Sequence, residues 1–391
     1  MTDEAAWGAS GMMTLTGPPE GPRFGPPERL VPTLHSLGQR IEAASAQVGR
    51  RVAWDWLALL GERAALDGLS ARGTTSCGGA TRLLAAPDGW IALSLARPDD
   101  HDLLPAWREL ASDGRAQSLV EAGELLGLPV ARLGERSASP DAGVGTEEFG
   151  SSAKPTRAVR PPRVLDLSSL WAGPLCASIM AAAGADVIKV ESIRRPDASR
   201  AGSPDLFDRL NHAKRSVALD LGHPDGRVVL RELVASADVV VEASRPRALE
   251  QLGIVAAHEL ARPGGVTVWV SITGHGRASQ RVSFGDDAAV AGGLVTAGEG
   301  TPWFCGDAIA DPLSGVAAAA AALDALVCHE RVLIDVSMAG VAAAHAGSTD
   351  ATDAAGVGNG SVAPPRARPT PGPARPFGAD TATVLATWTP R

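Results

Sequence analysis

Cysteine is scarce in this chain and never occurs in closely spaced pairs. Only four cysteines are present, and none belongs to a C-x-x-C motif; they are Cys77, Cys176, Cys305 and Cys328. Disulfide frameworks and structural zinc sites require recurring, closely spaced cysteines. The sequence therefore predicts neither of them, and no metal site, and we interpret the four thiols as core or loop residues.

Basic residues are outnumbered by acidic ones. The chain has 36 Lys and Arg residues against 44 Asp and Glu residues, which gives a formal net charge of −8 at pH 7. Binding to nucleic acid generally needs an extended positive surface. We therefore expect no nucleic-acid partner, and expect any bound polyanion to be small and held by local basic residues.

Two further patterns are missing from the sequence. We find no apolar run of membrane-spanning length, and the N-terminal segment MTDEAAWGAS has no basic stretch followed by an apolar one. These observations predict a cytoplasmic protein without a membrane partner. The chain also lacks a G-x-G-x-x-G motif, so a dinucleotide-binding fingerprint is not supported.

The pattern that is present most clearly is an alternation of strands and helices from residue 163 onward. Apolar strand segments such as VLDLSSL, DVIKVES, SVALDL, DVVVEAS and VTVWVSIT are separated by helical segments. This alternation predicts an α/β fold with a doubly wound, Rossmann-like parallel sheet and ligands at the carboxyl ends of its strands. The loop at 171–174 follows the first strand and precedes a helix that can receive a phosphate, unless it is only a tight turn.

Composition divides the 391 residues into five predicted segments. Residues 69–135 contain two short strands around a Pro-Asp-Gly turn and then helices, which indicates a small α+β domain. Residues 136–162 are rich in Ser, Pro, Ala and Gly and are predicted to be a linker. Residues 163–347 form the predicted large domain, and residues 348–391 a Pro-rich tail with a last helix at 380–386.

Residues 1–68 resemble part of the large domain at an offset of about 280 positions. We interpret them as a degenerate partial repeat of its second half, although chance similarity between two Gly- and Ala-rich stretches is the alternative. The same offset places Val31 opposite Asp311. The matched pairs are residues 11–14 with 293–296, Phe24 with Phe304, Arg51-Val52 with Arg331-Val332, and Asp55 with Asp335.

The segment ADPLSGVAAAAAALDAL, residues 310–326, places an acid at the start of an alanine-rich helix. We predict that Asp311 is the N-cap and that Pro312 is the first helical residue. The helix dipole and the backbone N–H groups should keep such a carboxylate ionised and fixed. Asp311 is thus either a nucleophile or only a helix cap.

Several longer segments resemble the family III CoA-transferases, the CaiB/BaiF family. They are RVLDLSSLWAGPLCASIMAAAGADVIKVE, NHAKRSVALDL with HPDGR, ADVVVEASRPRALEQLG, ADPLSG and PPRARPTPGPARPFGADTATVL. In this family the acid of a D-x-x-x-G element is the catalytic nucleophile, and it maps onto Asp311 with Gly315. The resemblance implies coenzyme A as a substrate, acyl-CoA and a carboxylic acid acceptor as partners, and a homodimer.

The resemblance also implies binding residues for the substrate. Gly78 and Gly79 correspond to a glycine loop that folds over the intermediate. The family inserts its small domain after the catalytic half, whereas here the similar segment precedes it, so the domain order is predicted to be permuted. The implied CoA-binding residues are Ala172, Gly173, Arg200, Lys214 and Arg215.

Two other functions remain open at this point. An α-methylacyl-CoA racemase of the same family needs a His and an Asp to move the α-proton, but residues 284–287 read Phe-Gly-Asp-Asp, and His275 belongs to a Gly-rich turn. A non-catalytic CoA-binding protein is the second alternative. It is favoured by the permuted order and by Ala-Ser-Arg-Pro-Arg at 243–247, where many members read Asn-Phe-Arg-Pro-Gly.

Overall fold

The computed structural model describes residues 2–151, 160–244, 246–298, 300–347, 362–369 and 372–388. Its centre is a seven-stranded sheet in the order β4-β12-β9-β8-β5-β6-β7, in which every neighbouring pair is parallel except β4 with β12. The strands are β4 (Val144–Ser151), β5 (Arg163–Asp166), β6 (Asp186–Ser192), β7 (Arg215–Leu219), β8 (Val239–Glu242), β9 (Val268–Thr273) and β12 (Glu330–Ser337).

Both faces of this sheet are covered, which explains why its strands are continuous apolar runs. Val239 and Val241 of β8 pack into one core, whereas Val240 between them packs into the other. Leu165 and Trp269 also belong to the second core. The predicted α/β class with a doubly wound parallel sheet is confirmed.

Sixteen α-helices lie within the described residues. They are α1 (Asp3–Ser10), α2 (Leu30–Val48), α3 (Trp56–Leu59), α4 (Glu62–Asp67), α5 (Leu104–Leu110), α6 (Ala116–Leu126), α7 (Ala172–Ala182), α8 (Ser199–Gly202), α9 (Pro204–Asn211), α10 (Pro224–Ser236), α11 (Pro246–Glu250), α12 (Ala256–Ala261), α13 (Gly285–Ala291), α14 (Ala310–Cys328), α15 (Met338–Ala346) and α16 (Thr381–Trp388). Short 3₁₀ helices span Met12–Leu15 and Pro98–Leu103.

A smaller antiparallel sheet is formed by β1 (Thr81–Ala86), β2 (Gly89–Ser94) and β3 (Val130–Arg132). The predicted strands around the Pro-Asp-Gly turn are therefore present and form a hairpin. Helices α5 and α6 pack on this sheet through a separate apolar cluster that includes Trp107 and Val120. A two-stranded sheet, β10 (Val295–Gly298) with β11 (Thr301–Phe304), lies before α14.

The predicted linker at 136–162 is wrong in part, because it contains strand β4. This strand pairs antiparallel with β12 at the edge of the large sheet. Its sequence, VGTEEFGS, is mostly exposed and has no apolar alternation, so local pattern did not reveal it. Residues 152–159 of the predicted linker lie outside the described residues.

The tail folds back onto the rest of the chain. Its last helix spans Thr381–Trp388, one residue later at its start and two later at its end than the predicted 380–386. The Asp380 carboxylate accepts a hydrogen bond from the backbone N–H of Ser216 (2.9 Å) at the edge strand β7. Residues 348–361, also assigned to the tail, lie outside the described residues.

Helix α14 lies in the core between α2 and α7. Both α2 and α14 contain 19 residues, and their starts and ends are each 280 positions apart. Contrary to the sequence reading, Ala310–Cys328 is long and apolar enough to span a membrane by those two measures, but 67% of its apolar window is buried inside the protein. Its alanine and glycine residues permit close packing, as in the core helix of a globular protein.

Candidate active site around Asp311

The start of α14 differs from the prediction. Ile309 occupies the N-cap position, so Asp311 is the second residue inside the helix and not its cap. The turn before α14 is stabilised by helix α13, because the Asp286 carboxylate of α13 accepts a hydrogen bond from the N–H of Ala308 (3.0 Å). Ala308 has a positive φ of 41°, which is unusual for alanine. The N-cap prediction for Asp311 is therefore wrong.

The carboxylate of Asp311 is partly buried against the first residue of α13. A Cβ built on Gly285 would collide with Oδ2 of Asp311 and with the carbonyl oxygen of Ala308. Glycine is thus required there for the close approach of α13 to α14. Neither oxygen of Asp311 accepts a hydrogen bond from a residue that the structure describes, so this carboxylate is left available.

Three other carboxylates surround Asp311, and each of them is occupied. Asp286 also accepts a bond from the Thr81 hydroxyl (3.3 Å), and Asp287 accepts bonds from the hydroxyl of Ser94 (2.7 Å) and the N–H of Phe284 (2.9 Å). The third, Asp307, is completely buried and is bound by an arginine. We call Asp286, Asp287, Asp307 and Asp311 the carboxylate cluster.

Burial and mutual repulsion make these acids difficult to ionise. Burial, followed by the charge of Asp307, raises the pKa of Asp286 to about 6. Burial is also the main cause that raises the pKa of Asp311 to about 7; the other three carboxylates add to it and Arg63 opposes it. Burial thus opposes the expected effect of the helix dipole, because it raises the pKa of Asp311 above its ordinary value.

Arg63 is the cation that faces the carboxylate cluster. Its Nε and Nη2 atoms bind the two oxygens of Asp307 at 2.7 and 2.5 Å, and its guanidinium lies over the ring of Trp171 at 5.4 Å. Burial lowers the pKa of Arg63, but the hydrogen bond and charge of Asp307 outweigh it and leave the pKa above its ordinary value. Sequence reasoning missed Arg63, because its partner is 244 positions away.

The predicted glycine loop lies beside Arg63. A Cβ on Gly78 would be 3.2 Å from Nη2 of Arg63, and Gly79 has a positive φ of 82° that favours glycine. The adjacent Cys77 points its sulfur at the carbonyl of Gly306 (3.4 Å). Burial raises the pKa of this thiol, so it stays protonated. Gly78 of the 69–135 segment thus lies beside the Arg63 side chain within one chain.

Two predicted CoA-binding residues lie at the carboxyl edge of the large sheet. Ala172 and Gly173 begin α7 directly after strand β5, and a Cβ on Gly173 would collide with the Ser168 side chain. The same Cβ would be 3.5 Å from Cβ of Ala243, which follows β8. The loops after β5 and β8 therefore meet at the point where the strand order reverses, which is the usual ligand position in such sheets.

The three predicted cations are held in ion pairs. The Arg200 guanidinium binds Glu191 (2.6 Å) and stacks on Phe207 at 4.2 Å, with 22% of its side chain exposed. Lys214 is buried and binds Asp166 (2.7 Å); burial lowers its pKa to about 8.

Arg215 lies at the opposite edge of the sheet from Ala172 and Gly173. It begins β7 and binds Asp186 (2.6 Å), which begins β6, so both lie at the amino ends of parallel strands. Lys214 and Arg215 thus each have a carboxylate partner within the chain, and their assignment to CoA binding stays a prediction. The sequence shows that a residue is basic, but it does not show which carboxylate that residue binds in the folded protein.

Comparison with known proteins identifies the family. Residues 162–379, more than half of the chain, match CoA-transferase family III, so the chain belongs to this family and the resemblance is confirmed. A formyl-CoA:oxalate CoA-transferase of Rhodopseudomonas palustris (strain BisA53) is 41% identical over 105 residues, which is 25% of this chain and 25% of that protein. A succinyl-CoA--D-citramalate CoA-transferase of Chloroflexus aurantiacus is 34% identical over 194 residues, 46% of this chain and 48% of that protein.

Two solved structures are also similar to this chain over about half of its length. A CAIB/BAIF family protein from Brucella suis is 28% identical, with a TM-score of 0.43 over 47% of this chain and 54% of that one. A hypothetical protein from Mycobacterium tuberculosis is 30% identical, with a TM-score of 0.44 over 49% and 56%. The matched regions cover between about a quarter and a half of the length of the two CoA-transferases named above.

Proposed function

We propose that this protein transfers coenzyme A from an acyl-CoA to a carboxylic acid, with Asp311 as the covalent nucleophile. The observation that carries this proposal is that the Asp311 carboxylate accepts no hydrogen bond from a described residue. Asp286, Asp287 and Asp307 are fully engaged by hydroxyl, backbone or guanidinium donors. Asp311, in the position of the family's acid, keeps two unbonded oxygens that are partly exposed.

The reaction follows from a carboxylate attacking a thioester. An Asp311 oxygen forms a bond to the acyl carbonyl carbon, the C–S bond breaks, and CoA leaves as a thiolate, which gives a mixed anhydride. The thiolate then attacks the Asp311 carbonyl and releases the donor acid, so that CoA is bound to the enzyme as a thioester. The acceptor carboxylate repeats the first step at this thioester, and the thiolate completes the transfer by attacking the acceptor's acyl carbon.

The surroundings of Asp311 suit a nucleophile of this kind. A carboxylate with a pKa of about 7 is more basic than an ordinary one, and it is ionised in a useful fraction at neutral pH. Gly78 lies beside Arg63, and in this proposal Gly78 and Gly79 cover the intermediate and exclude water. The first turn of α7, at Ala172 and Gly173, is our candidate for the CoA phosphates, with Arg200 as the nearby cation.

The relatives support a carboxylic acid acceptor. Oxalate and citramalate, which appear in their names, are both carboxylic acids, and formyl-CoA and succinyl-CoA are both thioesters. The homodimer implied by the resemblance also remains a proposal. Light scattering at micromolar concentration tests it, and a monomer would contradict it.

Mass spectrometry tests the nucleophile. The protein is incubated with formyl-CoA or succinyl-CoA, and its intact mass is measured with and without oxalate or citramalate. We expect a CoA adduct on Asp311 that disappears when an acceptor is added, and no adduct on Asp311→Asn. The matched control is Asp324→Asn, which removes an exposed carboxylate from the same helix.

The possible outcomes separate the three functions. Folded Asp311→Asn protein that transfers CoA at the wild-type rate would exclude this nucleophile. Exchange of the α-proton with solvent deuterium, without an adduct, would indicate a racemase instead. Neither an adduct nor exchange, despite CoA binding, would indicate a non-catalytic protein.

A further inference from the structure

We propose that Arg63, from the N-terminal repeat-like segment, is a positioning residue that orients the turn before Asp311 and stabilises the ionised form of its carboxylate. This inference rests on the proposed function for its catalytic meaning. Its structural basis is independent, because it depends on where one guanidinium lies among four carboxylates.

Arg63 first fixes the turn that leads into α14. Its two hydrogen bonds to Asp307 are bidentate, which fixes direction as well as distance. The next residue, Ala308, has a positive φ and donates to Asp286. The N–H of Asp311 in turn donates to the carbonyl of Ala308 (2.9 Å). Arg63 therefore binds the residue four positions before Asp311, in the turn that leads into α14.

Arg63 also supplies the positive charge that the carboxylate cluster needs. The titratable and charged groups that face this region are the cluster itself, Arg63 and the protonated thiol of Cys77. Four acids in a buried space cannot all ionise without a counter-charge. Because the Arg63 guanidinium is bound to Asp307, it offsets the negative charge of that residue. Ionisation of Asp311 therefore requires less free energy.

The two halves of this arrangement come from different copies of the predicted repeat. At the 280-residue offset, Asp311 corresponds to Val31, and Arg63 corresponds to Ala343. The first copy thus has the cation without the acid, and the second copy has the acid without the cation. Packing of α2 on α14 joins the copies, and so completes the pair within one chain.

Arg63 contacts two of the loops near Asp311. Its guanidinium lies over Trp171, the residue before α7, and next to Gly78 of the glycine loop. Its Nη1 atom donates to no residue that the structure describes, and 25% of the side chain is exposed. A purely structural ion pair would need none of these contacts with the loops around Asp311.

Titration of Asp311 tests the inference without requiring activity. Protein labelled with ¹³C at aspartate carboxyl groups is titrated by NMR, and the Asp311 signal is assigned by its loss in Asp311→Asn. We expect Arg63→Gln to raise the Asp311 midpoint by about one pH unit or more, since Arg63 lowers the pKa of Asp311 and a nearby opposite charge commonly shifts a pKa by ~1–3 units. Arg63→Lys keeps the charge and should restore most of the midpoint, although it cannot bind Asp307 in the same bidentate way.

A second readout links the titration to the chemistry. At pH 7, adduct formation by Arg63→Gln should fall about fivefold for the first unit of midpoint shift and about tenfold for each further unit, and it should recover at higher pH. An unchanged midpoint with only a lower thermal stability would mean that Arg63 is merely structural, and would overturn the inference. If the wild type forms no adduct, the proposed function fails, while the midpoint still decides the role of Arg63.

A further variant covers the case in which Arg63→Gln does not fold. Asp307→Asn removes one negative charge and releases the guanidinium, so the Asp311 midpoint should fall below that of the wild type. A midpoint that stays in place or rises in Asp307→Asn would contradict the coupling between Arg63 and Asp311.

Discussion

Replacing Asp311 by asparagine is expected to stabilise the protein more at alkaline pH than at acidic pH. An acid whose pKa is higher in the folded state than in the unfolded chain favours folding while it is protonated in the fold. That stability is lost as the pH rises from the unfolded pKa, 3.8, to the folded pKa, about 7. Asparagine carries no charge at any of these pH values, so the variant does not suffer this loss.

The size of the effect follows from the pKa difference. Each pKa unit corresponds to ~1.4 kcal/mol, and about two of the units lie between pH 5 and pH 7. The full value for that window is therefore roughly 3 kcal/mol, which the remaining solvent contact of the side chain reduces to about 2–3 kcal/mol. Urea denaturation at pH 5 and pH 8 measures the free energy of unfolding of both proteins.

The control is Asp113→Asn, an exposed aspartate in the small domain. Hydrogen bonds from the Arg115 backbone and the Ser118 hydroxyl hold the pKa of Asp113 below its ordinary value, so it is ionised at both pH values. Its difference from the wild type should not change with pH. If the Asp311→Asn difference also stays the same at pH 5 and pH 8, the burial argument for Asp311 is refuted.

Two further substitutions test the packing of the site and of the tail. Gly285→Ala should lower the free energy of unfolding by about 1–3 kcal/mol and abolish the CoA adduct, because the new methyl group would collide with Asp311 and Ala308. The control is Gly202→Ala, whose methyl group would point into open space. Equal stability and adduct formation in the two variants would contradict the close approach at Gly285. Arg368→Ala should cost about 2–3 kcal/mol in urea denaturation, since it leaves the buried Glu62 carboxylate without its bidentate partner and loses the stacking on Trp54. Arg366→Ala removes an exposed ion pair with Asp55 and should cost ~0–1 kcal/mol. A loss in Arg368→Ala as small as that in Arg366→Ala would contradict the prediction that the buried contact with Glu62 fixes the tail.

The large sheet was predictable because its strands are buried on both faces. Segments such as VLDL and DVIKVES are short apolar runs between helical segments, and this pattern directly indicates a parallel sheet. Strand β4 was not predictable in the same way. It is an exposed edge strand with Gly, Thr and Glu, and its partner β12 lies about 180 residues later in the chain.

The candidate site residues were predictable by type, but their partners were not. Asp311 is recognisable from an acid before an alanine-rich helix, but its N-cap assignment failed because the preceding turn is held by Asp286 of another helix. The same limit applies to charges. Lys214 is a plausible phosphate ligand by type, yet Asp166, 48 positions earlier in the chain, holds it in the core. Long-range partners of this kind leave no local pattern.

The packing of α14 explains why the N-terminal segment is part of the same fold. Helix α14 is apolar around most of its circumference, so it must be covered on every side. Helix α7 covers one side through the close contact at Gly315, and α2 covers another, with Arg40 of α2 bound to Asp324 of α14 (2.7 Å) at their exposed margin. The segment that contains α2 also carries Arg63. The N-terminal segment thus has two physical roles at α14, because it buries this helix and supplies a cation near the acid in its first turn.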